Sequence, residues 1–234
     1  MDIQGSVALV TGGNRGIGEH FVRALLDAGA AQVYAAARDP RQVTVPGAVP
    51  LRLDITDPEA VRAAAEQAPD VTLVVNNAGT STGAALLDGE LADWRREYET
   101  HVLGTLSVSR AFAPVLARNG GGAFLNVLSA LSWLALPGSA AYSAAKAAEW
   151  SLTNALRVEL AAQGTQVTAL HMGYVDTDMT AAVQAPKSAP ADIVRTALAG
   201  LAAGDFEVLA DDTAKQVKSG LSAGVAALYP QLAR

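Results

Sequence analysis

The stretch AAYSAAKAAEW, residues 140–150, sets one tyrosine and one lysine into a run of alanines. Alanine is the strongest helix former, so the run predicts a helix. Tyr142 and Lys146 stand four positions apart and therefore share one face of it. A free phenol ionises near pH 10 and is a poor acid or base catalyst at neutral pH. An ammonium one turn away favours the phenolate and is expected to lower that value by about a unit or more, depending on burial. The pair has the chemistry of a tuned proton donor. Taken alone, it fits a half-exposed aromatic beside a solvated lysine better, and only the rest of the chain reverses that reading.

A glycine turn is the second candidate. VALVTGGNRGIGEHF places Gly12, Gly16 and Gly18 between an apolar run and a helical pattern, at spacings of four and two. Glycines there allow a tight turn and close backbone approach to a pyrophosphate at the positive end of a helix. The spacing differs from the usual G-x-G-x-x-G, and glycine turns without a ligand are common. The strand before it and the helix after it favour the nucleotide reading. With no cysteine in the chain, disulfides, thiolate catalysis and cysteine-ligated metals are excluded. His20, His101 and His171 lie far apart in sequence and outside any HExxH-like cluster, so no metal site is expected.

The elements that must position these residues follow from the apolar pattern. Short apolar runs SVALV (6–10), QVYAAA (32–37), VPLRL (49–53), VTLVV (71–75), AFLNVL (123–128), QVTALH (166–171) and FEVLA (206–210) predict strands. Between them, helices are predicted at about 15–27, 57–67, 91–118, 141–162 and 190–203, with Asp57-Pro58 as N-cap and first-turn proline of the second. The strands are continuous apolar runs, as expected where helices cover both faces. Repeated βα units predict an α/β fold: a single-domain, Rossmann-type, doubly wound parallel sheet of about seven strands flanked by helices, filling residues 1–234. Only RDPRQVTVPGA joins the second and third strands, too short and too rich in proline for a full crossover helix.

With 17 basic and 23 acidic residues the net charge is −6, and no basic run or stripe occurs. Nucleic acid and anionic membrane are therefore not expected partners. A content of 50% hydrophobic and 17% charged residues excludes a disordered chain. The start, MDIQGSVALVTGG, lacks the pattern of a signal peptide. No uninterrupted apolar run reaches the ~18 residues of a membrane span. A soluble cytoplasmic protein is expected.

Four motifs in order give the sequence its resemblance. TGGNRGIG matches T-G-x-x-x-G-x-G, NNAG (76–79) follows the fourth strand, and YSAAK matches Y-x-x-x-K, with LDITD (53–57), NVLSALS (126–132) and GYVDTDM (173–179) at the expected places. From about residue 5 to 180 the chain resembles the short, single-domain branch of the short-chain dehydrogenase/reductase family. The last fifty or so residues carry no motif.

That resemblance implies a nicotinamide cofactor and assigns residues to it. Gly12, Asn14, Arg15, Gly16, Ile17 and Gly18 would form the pyrophosphate turn. Asp54, with Ile55 beside it, would meet the adenine; Asn76, Ala78 and Gly79 would line the ribose and nicotinamide side. Gly173, Val175 and Thr177 would meet the carboxamide, although Met172 stands where the family usually has proline. An acidic residue about twenty positions after the glycines normally binds the adenosine ribose. Arg38 stands there instead, twenty residues after Gly18. A guanidinium suits a 2′-phosphate, so NADP(H) is expected over NAD(H), with Arg15 as a second side of the phosphate site. Asp39 facing the ribose is the alternative.

The resemblance also implies roles at the reacting end. Tyr142 would give a proton to a carbonyl oxygen, Ser129 would hydrogen-bond that oxygen, and Lys146 would hold the nicotinamide ribose while tuning Tyr142; Ser132 is the alternative serine. The family has an asparagine in its long helix, in the proton relay, where this chain has His101. An imidazole there either bonds the helix backbone, impairs the relay, or passes protons between Lys146 and solvent. The activity implied is NADPH-dependent reduction of a small-molecule ketone or aldehyde, reversibly an alcohol dehydrogenase. A sensor that binds NADP(H) without turnover is the rival; an epimerase of the extended branch would need a longer chain. Thr80 to Ala85, Leu131 to Leu136 and Tyr174 to Val183 are expected to wall the substrate pocket. A homodimer or homotetramer is expected through the long helix and the tyrosine helix, with Phe112, Val115, Trp150, Leu152 and Leu156 as its patch unless these face their own sheet.

Overall fold

Five of the seven apolar runs become strands buried along almost their whole length, while VPLRL and FEVLA, at the sheet edges, stay partly exposed. The computed structural model describes residues 1–232; the expected domain over 1–234 includes two residues outside them. Strands β1 (Val7–Thr11), β2 (Gln32–Ala37), β3 (Val49–Arg52), β4 (Leu73–Asn76), β5 (Gly122–Val127), β6 (Thr165–His171) and β7 (Glu207–Leu209) pair in parallel in the order β3-β2-β1-β4-β5-β6-β7. The order reverses between β1 and β4, which opens a crevice at their C-terminal ends. Pro50 sits in β3, an edge strand, where a missing N–H is tolerated.

Helices α1 (Gly16–Asp27) and α6 (Pro190–Ala203) cover one face of the sheet, with Phe21, Val22, Leu25, Ile193 and Leu201 fully or almost fully buried there. On the other face α2 (Pro58–Gln67), α4 (Thr105–Arg118) and α5 (Ala140–Glu159) pack through Val61, Val108, Phe112, Leu116 and Leu156. Phe112, Val115 and Leu156, expected in a subunit interface, therefore belong to the chain's own core. Each lies on the sheet-facing stripe of its helix, which sequence spacing cannot distinguish from an outward one. Between β2 and β3 only the 3-10 turn Pro40–Gln42 forms, as the short connection requires.

The helix predicted over 91–118 is interrupted. Helix α3 (Leu91–Tyr98) passes into a π-helical segment, Glu99–Gly104, before α4 begins. A π turn widens the helix by one residue and re-aims the side chains on it. Here it brings His101 and Val102 inward, and Gly104 lies against Ile55, where an added Cβ would stand 2.8 Å from Ile55 Cδ1. After β7 the chain forms α7 (Asp212–Gly220) and α8 (Val225–Leu228). Among the described residues no helix is long and apolar enough to cross a membrane.

Candidate active site

Strand β5 ends beside the start of α5, and this juxtaposition assembles the reacting groups. Ser129 leaves β5 in extended conformation and caps the 3-10 turn Ala130–Ser132, its Oγ accepting from Leu131 N–H at 3.1 Å. Tyr142 stands in the first turn of α5, close enough for the Ser129 hydroxyl to favour its ionised form. One turn on, Lys146 Nζ lies 5.8 Å from the Tyr142 ring centroid. It donates to Val127 O at 2.8 Å and to Glu149 Oε2 at 2.7 Å. An ammonium has three donors, so one N–H is left for a further acceptor. Ser132, the alternative serine, is buried and its Oγ meets no partner among the described residues.

The depressed Tyr142 pKa expected from Lys146 is not what this environment produces. Burial pushes the phenol above its ordinary value; the Lys146 charge and the Ser129 hydroxyl pull it down, while Glu149 and Glu97 push it up again. Burial and the two acids win. Lys146 resists burial because Glu149 and Tyr142 favour its charged form, and its net shift is upward. The site holds a neutral phenol beside an ammonium that is already paired.

His101 is the centre of that acid pair. It is only 1% exposed, and its ring stands edge-on to Tyr142 with centroids 5.2 Å apart. Nε2 lies 2.8 Å from Thr80 O and 3.3 Å from Glu97 Oε2, and Nδ1 lies 3.7 Å from Glu149 Oε2. The histidine thus meets the backbone of the Thr80 loop rather than that of its own helix, and reaches Lys146 only through Glu149. Glu97 is fully buried, its Oε1 accepting from Thr82 N–H at 2.6 Å and Thr82 Oγ1 at 3.0 Å. Burial would raise its pKa, but the bonds from His101 and Thr82 hold it below the ordinary carboxylate range. Glu149 Oε1 accepts from Thr105 Oγ1 at 3.0 Å. Neither acid was singled out in the sequence. Glu97 four residues before His101 and Glu149 three after Lys146 were the available signal, since those spacings share a helix face.

At the other end of the crevice the glycine turn fits a diphosphate. Gly12 and Gly16 have φ of +64° and +53°, and a Cβ on Gly18 would run into the Gly12 carbonyl oxygen. Above Gly16 the nearest group is the Thr177 methyl, 3.5 Å from where a Cβ would be. Helix α1 begins there with no side-chain cap, so its first N–H groups are left for an anion. Asn77 pins the turn: Nδ2 donates to Thr11 O at 2.9 Å and to Gly12 O at 3.3 Å. Thr11 Oγ1 accepts from the N–H groups of Asn77 and Ala78, both at 3.0 Å.

The remaining nucleotide residues divide. Asn14 bonds Gln42, Ile17 packs partly into the core, and Arg15 makes an exposed 3.9 Å ion pair with Asp178, too weak to hold it there. Arg38 is exposed at the end of β2, whereas both Asp39 oxygens accept from Arg41, at 2.8 and 2.9 Å. Asp54 Oδ1 accepts from Thr56 N–H and Oγ1, and Ile55 is buried. Asn76 turns inward instead of lining the ribose, its Nδ2 donating to Asn126 Oδ1 at 2.8 Å. Successive β-strand side chains point to opposite faces, so Asn77 takes the crevice side. Ala78 is half-buried and Gly79 exposed, with the His101 ring against it. The Gly173 N–H donates to Asp211 Oδ2 at 2.7 Å and is not free for a carboxamide; Val175 is buried, and Thr177 stays near the glycine turn.

Residues 6–188 match the family model described as short chain dehydrogenase. The chain belongs to the short chain dehydrogenase family. Galactitol 2-dehydrogenase (L-tagatose-forming) of Cereibacter sphaeroides is 36% identical over 189 residues, covering 76% of this chain and 74% of the relative. A short chain dehydrogenase from Burkholderia cenocepacia J2315, solved in complex with NADP, is 40% identical, covers 100% of both chains, and superposes with a TM-score of 0.95. A gluconate 5-dehydrogenase from the same organism, in complex with NADP and tartrate, is 26% identical over 95% of this chain and 97% of its own, with a TM-score of 0.83. As a short chain dehydrogenase the protein is an oxidoreductase acting on CH–OH or C=O groups with a nicotinamide cofactor.

In this short chain dehydrogenase the C-terminal segment, which carries no motif, also reaches the site. Tyr229 OH accepts from Ala135 N–H at 2.9 Å, fastening the loop after Ser132. Lys218 Nζ sits 4.6 Å from the Trp133 ring centroid and 5.6 Å from that of Trp150, and pairs with Glu207 at 2.6 Å. Trp133 stacks on His171, which burial pushes down to about 4 and so keeps neutral.

Proposed function

We propose that this chain reduces a ketone or aldehyde to an alcohol with NADPH, reversibly, as one cytoplasmic dinucleotide-binding and catalytic domain. The observation that carries the reading is the Ser129–Tyr142–Lys146 cluster, with its phenol held neutral, at the mouth of a crevice whose other end is a diphosphate cradle. NADPH, when bound, supplies the hydride. Ser129 donates a hydrogen bond to the carbonyl oxygen and orients it. Tyr142 gives its proton to that oxygen as the alcohol forms. Lys146 stabilises the phenolate left behind and presents its third N–H to the ribose.

A panel of ketones, aldehydes, quinones and polyhydroxylated compounds, with NADPH and NADH oxidation as readout, tests this reading. The polyhydroxylated members are included because the galactitol and gluconate dehydrogenases carry such substrates in their names. Saturable cofactor binding with no turnover on the whole panel would favour the sensor instead.

The choice of NADPH rests on Arg38, exposed and paired with no carboxylate among the described residues, beside an Asp39 already neutralised by Arg41. Arg38→Asp is expected to shift the kcat/KM ratio of NADPH over NADH at least about tenfold toward NADH, because a phosphate partner becomes a like charge. Equal effects on both cofactors would remove the assignment.

A homo-oligomer remains part of this reading, through the expected tyrosine helix but along another stripe of it than Trp150, Leu152 and Leu156. The outward stripe of α5 carries Ala144, Ala147, Ser151, Ala155 and Val158, all exposed. Small side chains allow two helices to pack closely. Light scattering at micromolar concentration is expected to return a dimer or tetramer of the 23.9 kDa chain; a monomer would refute it.

A further inference from the structure

Glu149 has no part in the chemistry described so far, yet it holds the most consequential position in the buried cluster. Its carboxylate is 2% exposed, accepts from Lys146 at 2.7 Å and from Thr105 at 3.0 Å, and faces His101 Nδ1. We propose that Glu149 is the counter-charge that, through Lys146, keeps Tyr142 in its proton-bearing form, so that the site is set to give a proton rather than to take one.

The physical reason is cancellation. A lone ammonium 5.8 Å from the Tyr142 ring favours the phenolate, and a buried one does so strongly. A carboxylate in contact with that ammonium turns the charge into a dipole, whose field at the phenol is far smaller. The groups facing Tyr142 are few. From α5 come Lys146 and Glu149, from the π segment His101, from α3 Glu97 beyond the His101 ring, and from the end of β5 the Ser129 hydroxyl. His171 lies beyond the Ser129 carbonyl and is neutral. Both acids push the phenol up, opposing Lys146. During reduction the Tyr142 O–H bond breaks, its proton joins the substrate oxygen that the hydride has made basic, and the electron pair stays on the phenolate. An unquenched Lys146 would hold Tyr142 as the phenolate before the substrate arrives, leaving it no proton to give. Glu149 is a positioning residue in this scheme, since it touches neither substrate nor cofactor.

The inference rests on Tyr142 as the proton donor of the proposed reaction, so its test avoids turnover. Phenolate absorbance is followed after rapid pH jumps, and Tyr142 is isolated by subtracting the matching Tyr142→Phe protein. Glu149→Gln is expected to lower the Tyr142 midpoint by about one pH unit or more, and Glu149→Asp to leave it near the parent value. Should Glu149→Gln fail to fold, Lys146→Met and the double variant Lys146→Met/Glu149→Met give the same information. Loss of the ammonium alone raises the midpoint, and loss of both charges brings it back toward that of the parent. A Glu149→Gln midpoint equal to the parent's, or equal midpoints for the single and double methionine variants, overturns the proposal. A protein that shows the expected shift yet reduces no carbonyl upholds the coupling and defeats the proposed function.

Discussion

Tyr142→Phe is expected to lower kcat for carbonyl reduction by about 10²–10⁴-fold while leaving NADPH binding within a factor of about three, the range attributed to a positioned general acid. The substitution removes one oxygen and nothing else of weight. The ring keeps its edge contact with His101, α5 keeps its alanine-rich first turn, and Lys146 keeps its bonds to Val127 and Glu149. What disappears is the only phenol between Ser129 and Lys146, and with it the proton for the developing alkoxide. Steady-state kinetics with the best carbonyl of the panel, beside a fluorescence titration of NADPH, separates chemistry from binding. A variant within tenfold of the parent in kcat would mean that the proton comes from elsewhere.

Gly18→Ala is expected to weaken NADPH binding by about 10–100-fold. An added Cβ would run into the Gly12 carbonyl oxygen and come within 2.5 Å of Asn77 Nδ2. Neither can yield cheaply: Gly12 belongs to the turn itself, and Asn77 ties that turn to the end of β4 through Thr11 and Gly12. Relieving such a clash costs about 1–3 kcal/mol, here by opening the diphosphate cradle. The same strain lowers the melting temperature by roughly 2–4 °C per kcal/mol in a chain of this size. Calorimetric titration with NADPH and a thermal melt measure the two effects. Unchanged affinity in a folded variant would show that the cradle does not hold the cofactor.

Local chemistry made much of this protein legible before any coordinates. Short continuous apolar runs fit strands covered on both faces, and their alternation with helical segments implies the parallel sheet that β1 to β7 form. The glycine turn and the Tyr142–Lys146 pair are equally local, because three and four-residue spacings fix which side chains meet on a helix. Tertiary structure decided the rest. Whether Asn76 or Asn77 faces the crevice depends on where β4 ends, and whether Phe112 and Leu156 face the sheet depends on how α4 and α5 are rotated upon it. The π turn at His101 leaves no mark in composition, since its residues read as ordinary helix. Most of all, the direction of the Tyr142 shift is a sum over burial and groups from α3, the end of β5 and α5. Burial and the field of two distant carboxylates exist only once those elements are packed, and they reverse what Lys146 alone would do.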